Sequence, residues 1–240
     1  MERAYDDRIS LYFCPKNRVL AFLLVLLGLG IFVMGFNREN MYMFLAVGTL
    51  FCIMGICSYI KERGVNVTGQ EVDEYVYNFF TNFPMKYKIM NHLQINEKDI
   101  EEKESYVISG YTTLSIHAEP LLRLDIFDKK ERSSNVQISY FMFDNEVLRV
   151  YTLIKSLIDS NYKERKWTWG LRSIKYCELS SETKMCMAVP GKKDGKAEGV
   201  FRILTIIDTD NLRYSFAFEE KHEETAKYIS NHINKRLLSK

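Results

Sequence analysis

The chain has 240 residues and carries 33 Lys plus Arg against 31 Asp plus Glu, and residues 65–240 hold 26 of each. A formally neutral body offers no basic excess with which to neutralise a nucleic-acid backbone, so nucleic acid is not an expected partner. Five scattered cysteines, Cys14, Cys52, Cys57, Cys177 and Cys186, show no CxxC step and no ligand-like spacing to a His, which removes support for a metal or disulfide framework; no cofactor is expected.

In chain order, residues 1–18 read as a short N-terminal segment, followed by two uncharged apolar runs, Val19 to Phe36 and Met41 to Ile60. Each is about as long as a helix needs to cross a hydrocarbon core of roughly 30 Å, so residues 19–60 predict a transmembrane helical hairpin. Six Lys or Arg flank the outer ends of the runs, while only Arg38 lies between them. That asymmetry predicts a two-pass protein of the inner (cell) membrane, with both termini and everything after Ile60 cytoplasmic and the bilayer as a partner through the hairpin. No small-x-small step follows the first run, which argues against a cleaved signal peptide. Gly28 and Gly35 are seven residues apart, as are Gly48 and Gly55. Each pair falls on one helix face, and the two stripes are expected to meet as Gly28/Gly55 and Gly35/Gly48.

Residues 61–105 read as a juxtamembrane helical segment. Thr68-Gly69-Gln70-Glu71 has the pattern of a capping box, which starts a helix, and Pro84 splits residues 69 to 93 into two short ones. Asn96 to Glu102 is a third short candidate.

From Tyr106 the chain turns to short runs of Tyr, Phe, Ile and Val broken by turn residues, the signature of β-structure. The predicted strands are 106 to 114, 121 to 127, 134 to 143, 147 to 158, 163 to 168, 174 to 179, 183 to 189, 199 to 207 and 211 to 218. In the last, Leu212, Tyr214, Phe216 and Phe218 share one face and Arg213, Ser215 and Ala217 the other. His222 to Leu238 predicts a closing amphipathic helix with Ala226, Ile229, Ile233 and Leu237 as its apolar stripe. Residues 106–240 are therefore expected to form a strongly bent antiparallel sheet or incomplete barrel plugged by the terminal helix, an α+β fold with β dominant.

The run Ser139-Tyr140-Phe141-Met142-Phe143-Asp144-Asn145-Glu146-Val147-Leu148-Arg149-Val150-Tyr151, then Ser156-Leu157-Ile158-Asp159 and Trp167-Thr168-Trp169-Gly170-Leu171-Arg172-Ser173-Ile174, resembles bacterial PH-like domains. It is also similar to membrane-anchored bacterial proteins that place a helical segment, begun near an acidic pair such as Asp73-Glu74, before such a domain. The resemblance spans about Thr68 to Leu238 and implies the fold; the group carries no set of active residues to transfer.

In PH-like folds ligands often meet basic loops at the open end of the barrel. Lys129, Lys130 and Arg132 on one turn, and Lys192, Lys193 and Lys196 on another, are the candidates, against the plain alternative of Lys on solvated turns. Trp167 and Trp169 share a strand face and are either part of the core or an exposed aromatic platform for a partner; burial of either favours the core. Cys177 and Cys186 could approach across a hairpin but are expected as reduced, small core residues. His92, His117, His222 and His232 stand apart, and no nucleophile elbow or phosphate loop is present. The expected function is a membrane-anchored binding or scaffolding module without catalytic activity and with a protein partner. Lipid recognition by the PH-like end is the alternative, and a fold-assembled enzyme the least supported.

Overall fold

The computed structural model describes residues 2–14, 19–35, 41–63, 67–125, 127–187 and 196–238. The chain divides into two compact units, one of Met1–Phe13 with Gly69–Lys240 and one of Cys14–Thr68. Helix α1 (Glu2–Phe13) belongs to the first, and the second consists of α2 (Val19–Gly35) and α3 (Met41–Arg63).

The helical pair forms, but not as a transmembrane hairpin. Among the described residues no helix is long and apolar enough to cross a membrane. Helix α2 ends at Gly35 after 17 residues, about 26 Å at 1.5 Å per residue and short of a core of roughly 30 Å. Helix α3 has 23 residues but spends its last turn on Lys61, Glu62 and Arg63. The predicted two-pass inner-membrane placement falls with the spanning helices it required. The apolar runs do form helices, but their length does not carry them across a membrane. The helices pack antiparallel through small residues, with Gly28 against the Gly48 carbonyl and Gly55 against that of Ala21. This replaces the expected Gly28/Gly55 and Gly35/Gly48 pairing; the surroundings of Gly35 itself lie outside the described residues. Cys52 Sγ donates to the Val25 carbonyl at 3.8 Å, a bond across the pair rather than back to its own helix.

The larger unit is α+β. Among the described residues, helices α4 (Gly69–Asn82), α5 (Met85–Leu93) and α6 (Glu97–Glu102) precede nine strands, and α7 (Glu223–Leu238) follows them. The break between α4 and α5 falls at Pro84, as its missing amide requires. Strands β1 (Glu104–Tyr111), β4 (Asn135–Asp144), β5 (Val147–Ser156) and β6 (Tyr162–Gly170) form one antiparallel sheet in the order β1-β4-β5-β6. A second sheet, in the order β3-β2-β7-β8-β9, holds β2 (Leu122–Leu124), β3 (Glu131–Ser133), β7 (Ile174–Met187), β8 (Lys196–Asp208) and β9 (Arg213–Phe218). The predicted strands 174 to 179 and 183 to 189 are one strand of 14 residues. Ser180-Ser181-Glu182 contains no Gly, Pro or Asn to turn the chain, so the polar run stays in the ladder.

The two central strands of the first sheet, β4 and β5, are buried on both faces. Phe141, Phe143, Leu148 and Val150 meet Leu204, Ile206 and Phe216 of the second sheet, together with Ala226, Ile229 and Ile233 of α7. On the opposite face Ile138, Tyr140, Met142, Tyr151 and Leu153 pack under Ile89 and Leu93 of α5. This explains why β4 is buried at every position from Asn135 to Phe143 where a half-exposed strand would alternate. The stripe of α7 is as predicted, and each of its two fully buried isoleucines contributes about 1.5–3 kcal/mol of transfer free energy.

Candidate binding cleft

The two sheets meet along a seam between β1 and β9. Glu219 N donates to the Ser109 carbonyl at 2.9 Å. A Cβ on Gly110 would stand 2.6 Å from the Phe218 carbonyl carbon, so only glycine permits the approach. Beyond Gly110 the backbones part, and a side chain takes over. Gln137, 1% exposed on β4, accepts from Ala217 N at 3.1 Å and donates to the Ser215 carbonyl at 3.4 Å and Ser139 Oγ at 3.2 Å. It serves β9 as a neighbouring strand would.

Where β1 has diverged, a cleft of ≈ 420 Å³ opens between its continuation, Tyr111 to Leu114, and the polar face of the second sheet. Strand alternation builds the floor. Register places Glu178, Thr205 and Ser215 in one row across β7, β8 and β9, and Ser180, Ile203 and Ala217 in the next. Arg213 lies at one end; Glu182 and Lys184 lie at the other. The wall is tied down by Thr112 N to the Asn135 carbonyl at 2.9 Å, Asn135 Nδ2 to the Leu114 carbonyl at 2.8 Å and Ser133 Oγ to the Thr112 carbonyl at 2.6 Å. Thr113 Oγ1 spans the far end to Glu182 Oε2 at 2.8 Å, and Lys184 Nζ sits 2.6 Å from Glu182 Oε1. Burial pushes Glu182 up, but the bonds from Lys184 and Thr113 outweigh it and hold the carboxyl below its usual value. The side chains of Glu178 and Arg213 make no hydrogen bond or ion pair among the described residues. Two opposite, unneutralised charges with a row of hydroxyls between them suit a polar ligand carrying both signs.

The predicted basic turn is placed differently from a ligand loop. Arg132 is fully buried. Its Nε and Nη2 reach Asp73 at 3.0 and 2.8 Å, and its Nη1 and Nη2 reach Asp128 at 3.1 and 2.5 Å. Tyr12 of α1 donates to Asp125 at 2.9 Å beside the same guanidinium, and Arg123 stacks 3.8 Å over the Tyr12 ring. Lys130 bonds Asp73 at 2.9 Å and lies 3.5 Å from Glu219. These charges fasten α1 and α4 to the β2–β3 turn. Lys129 remains exposed at the turn, with a left-handed φ of 57°. Lys192 and Lys193 lie outside the described residues, and Lys196 is exposed at the start of β8.

Trp169 is 8% exposed and Trp167 is partly buried. They stack at 5.9 Å and pack edge-on against Tyr214, so the pair belongs to the core rather than to a platform. Cys177 and Cys186 are free thiols nine residues apart on the single strand β7, not across a hairpin. His92 lies 2.7 Å from Glu164, and His232 3.6 Å from Glu104. Among the described residues no group of three His, Cys, Asp or Glu could hold a metal. Arg213 and Ser215 lie on the polar half of the alternation in 211 to 218, whereas nothing in the sequence marks Glu178 or Thr205 as part of a site. No known protein family, no curated protein and no solved structure matches the chain.

Proposed function

We propose that the chain is a binding or scaffolding protein whose β-rich unit holds a small polar ligand bearing both a cationic and an anionic group. The carrying observation is the cleft itself, with Arg213 and Glu178 left without ion-pair partners among the described residues on either side of Ser215 and Thr205. Its volume of ≈ 420 Å³ falls in the range of roughly 300–1,000 Å³ found for small-ligand sites, and the charges and hydroxyls on its floor disfavour a wholly apolar occupant. In this reading the ligand's anion meets Arg213, its cation meets Glu178, and the hydroxyl row orients what lies between. The PH-like resemblance fits such a role, since it implies a fold rather than a chemistry.

The test is a titration of the isotope-labelled chain with free amino acids and dipeptides, with their N-acetyl amides as uncharged controls. The reading expects amide shifts at Ser180, Thr205 and Ser215, a dissociation constant of about 1 mM or tighter, and loss of both in Arg213→Ala and Glu178→Gln. Absence of shifts, or equal shifts with the uncharged controls, would count against it.

A further inference from the structure

Between Tyr176 and Met187, β7 keeps an unbroken register with β8, so its backbone groups point alternately toward β8 and away. Cys177 fixes which residues point away. Its N–H donates to Asn234 Oδ1 at 2.9 Å, and its carbonyl accepts from Ser230 Oγ at 3.0 Å and Asn234 Nδ2 at 2.7 Å, all from α7 on the side opposite β8. At the other end Met187 bridges Arg123 of β2 on that same side. The odd-numbered residues between them, Leu179, Ser181, Thr183 and Met185, therefore present their N–H and C=O groups outward. Among the described residues none of these groups has a partner, and all four side chains are exposed.

Other edges of the two sheets are managed. The outer strand β6 carries Lys163, Glu164, Arg165 and Lys166 in succession, a charged run of the kind that blocks strand addition. On β8, Val200 N, beyond the reach of β9, is capped by Glu131 Oε1 at 3.2 Å. Only the middle of β7 is left as an open ladder among these, and its outward side chains are uncharged.

We propose that this edge pairs with the same edge of a second copy of the chain, antiparallel and centred on Thr183. Its charges select this occupant and register. With Thr183 opposite Thr183 of the second copy, the pairing sets Glu182 opposite Lys184 and Lys184 opposite Glu182. It also sets Ser181 opposite Met185, where the ladder ends, because Met187 is taken on this side by Arg123 of β2. Both cross-strand charge pairs are attractive, and Thr opposite Thr is a favourable pair. A shift of the axis to Glu182 would oppose two carboxylates. The odd residues meet odd residues, so the outward N–H and C=O groups complete hydrogen-bonded pairs across the axis, the isologous arrangement of a twofold dimer. The proposal does not depend on ligand binding in the cleft.

Sedimentation of the full chain, in nonionic detergent to occupy the apolar faces of α2 and α3, combined with amide hydrogen exchange, tests it. The wild type is expected to dimerise, with protection of the Ser181, Thr183 and Met185 amides that rises with protein concentration. Glu182→Lys or Lys184→Glu alone turns two attractive pairs repulsive and should weaken association by at least about tenfold; the double exchange should restore it. Thr183→Pro removes an outward N–H and no bond to β8, so it should leave the fold intact and abolish the dimer. The proposal is overturned by a wild-type monomer, by edge amides that exchange freely in an associated state, or by association that survives Thr183→Pro unchanged.

Discussion

The α-carbon of Gly69 rests against the guanidinium of Arg132: a Cβ there would stand 2.5 Å from Cζ and 2.7 Å from Asp125 Oδ2. The guanidinium cannot withdraw, because Asp73 and Asp128 grip it from two sides. Gly69→Ala should therefore force α4 off the β2–β3 turn, costing about 1–3 kcal/mol as overpacking does. Gly170→Ala is the control, since nothing lies within 4 Å of its added methyl. A thermal melt in which Gly69→Ala is no less stable than Gly170→Ala would contradict the arrangement.

The same cluster sets an acid limit on stability. Burial pushes the Asp73 carboxyl up, but hydrogen bonds from Arg132, Tyr111 and Lys130 outweigh this and hold it below its ordinary value of 3.8. Asp128 is lowered chiefly by its bond to Arg132. A folded-state pKa below the unfolded one favours the fold at pH values above about 3.8, and that contribution is lost as pH falls through the lowered value. Melting temperature should drop steeply below about pH 4 in the wild type. Asp73→Asn should cost about 3 kcal/mol or less at pH 7, because Arg132 keeps Asp128, and should flatten the acid slope. Parallel slopes in the two proteins would show that Asp73 does not carry the effect.

The residues of this cluster also show where the sequence stops being informative. The alternation of Leu212, Tyr214, Phe216 and Phe218, and the stripe of Ala226, Ile229 and Ile233, are local patterns that register and helical period carry into the fold unchanged. Arg132 had no such signal. Its three carboxylate neighbours come from Asp73, Asp125 and Asp128, and the first is 59 residues away; in the one-dimensional chain Lys129, Lys130 and Arg132 look like any solvated basic turn. The cleft was hidden for a related reason, since Glu178, Thr205 and Ser215 align only through two strand pairings. In the helical pair the error was of scale: composition marks the helices but not how many consecutive described residues of each are both helical and apolar.

Within that pair, glycine positions separate contact from mere frequency. An Ala at Gly48 would place its methyl 2.8 Å from the Gly28 carbonyl oxygen and 3.1 Å from Phe32 N, both backbone atoms of α2. The helices must move apart to admit it. Gly30 has nothing within 4 Å, so Gly30→Ala should stabilise its helix by up to about 1 kcal/mol through propensity alone. Helical circular dichroism on heating should rank Gly30→Ala above wild type and Gly48→Ala below it. The reverse order would deny the Gly28–Gly48 contact.

Thiol chemistry should divide the cysteines by burial. Burial pushes Cys177 up to about 12 and Cys186 up to about 11, leaving little thiolate at neutral pH. Cys14 and Cys57 are exposed, although desolvation also raises the Cys14 thiol above its ordinary value. Alkylation at pH 7.5 followed by peptide mass analysis should label Cys14 and Cys57 promptly, and Cys177 and Cys186 only after unfolding. Prompt labelling of Cys177 would mean that α7 does not cover β7 as described.

The final prediction concerns the side chain that holds the cleft open. Gln137→Met keeps nearly the same length but removes the acceptor for Ala217 N and the donor to the Ser215 carbonyl. Each buried group left unpaired costs about 1–3 kcal/mol, and β1 cannot supply the missing bonds because it has already diverged to form the cleft wall. The loss should be local before it is global. Amide exchange at Ala217 should accelerate by more than that at Phe141 in the core, and the Ser215–Thr205–Glu178 row should lose its alignment, weakening any ligand bound there. If Ala217 keeps its protection in Gln137→Met, another group must complete the edge of β9, and the seam between the sheets does not depend on Gln137.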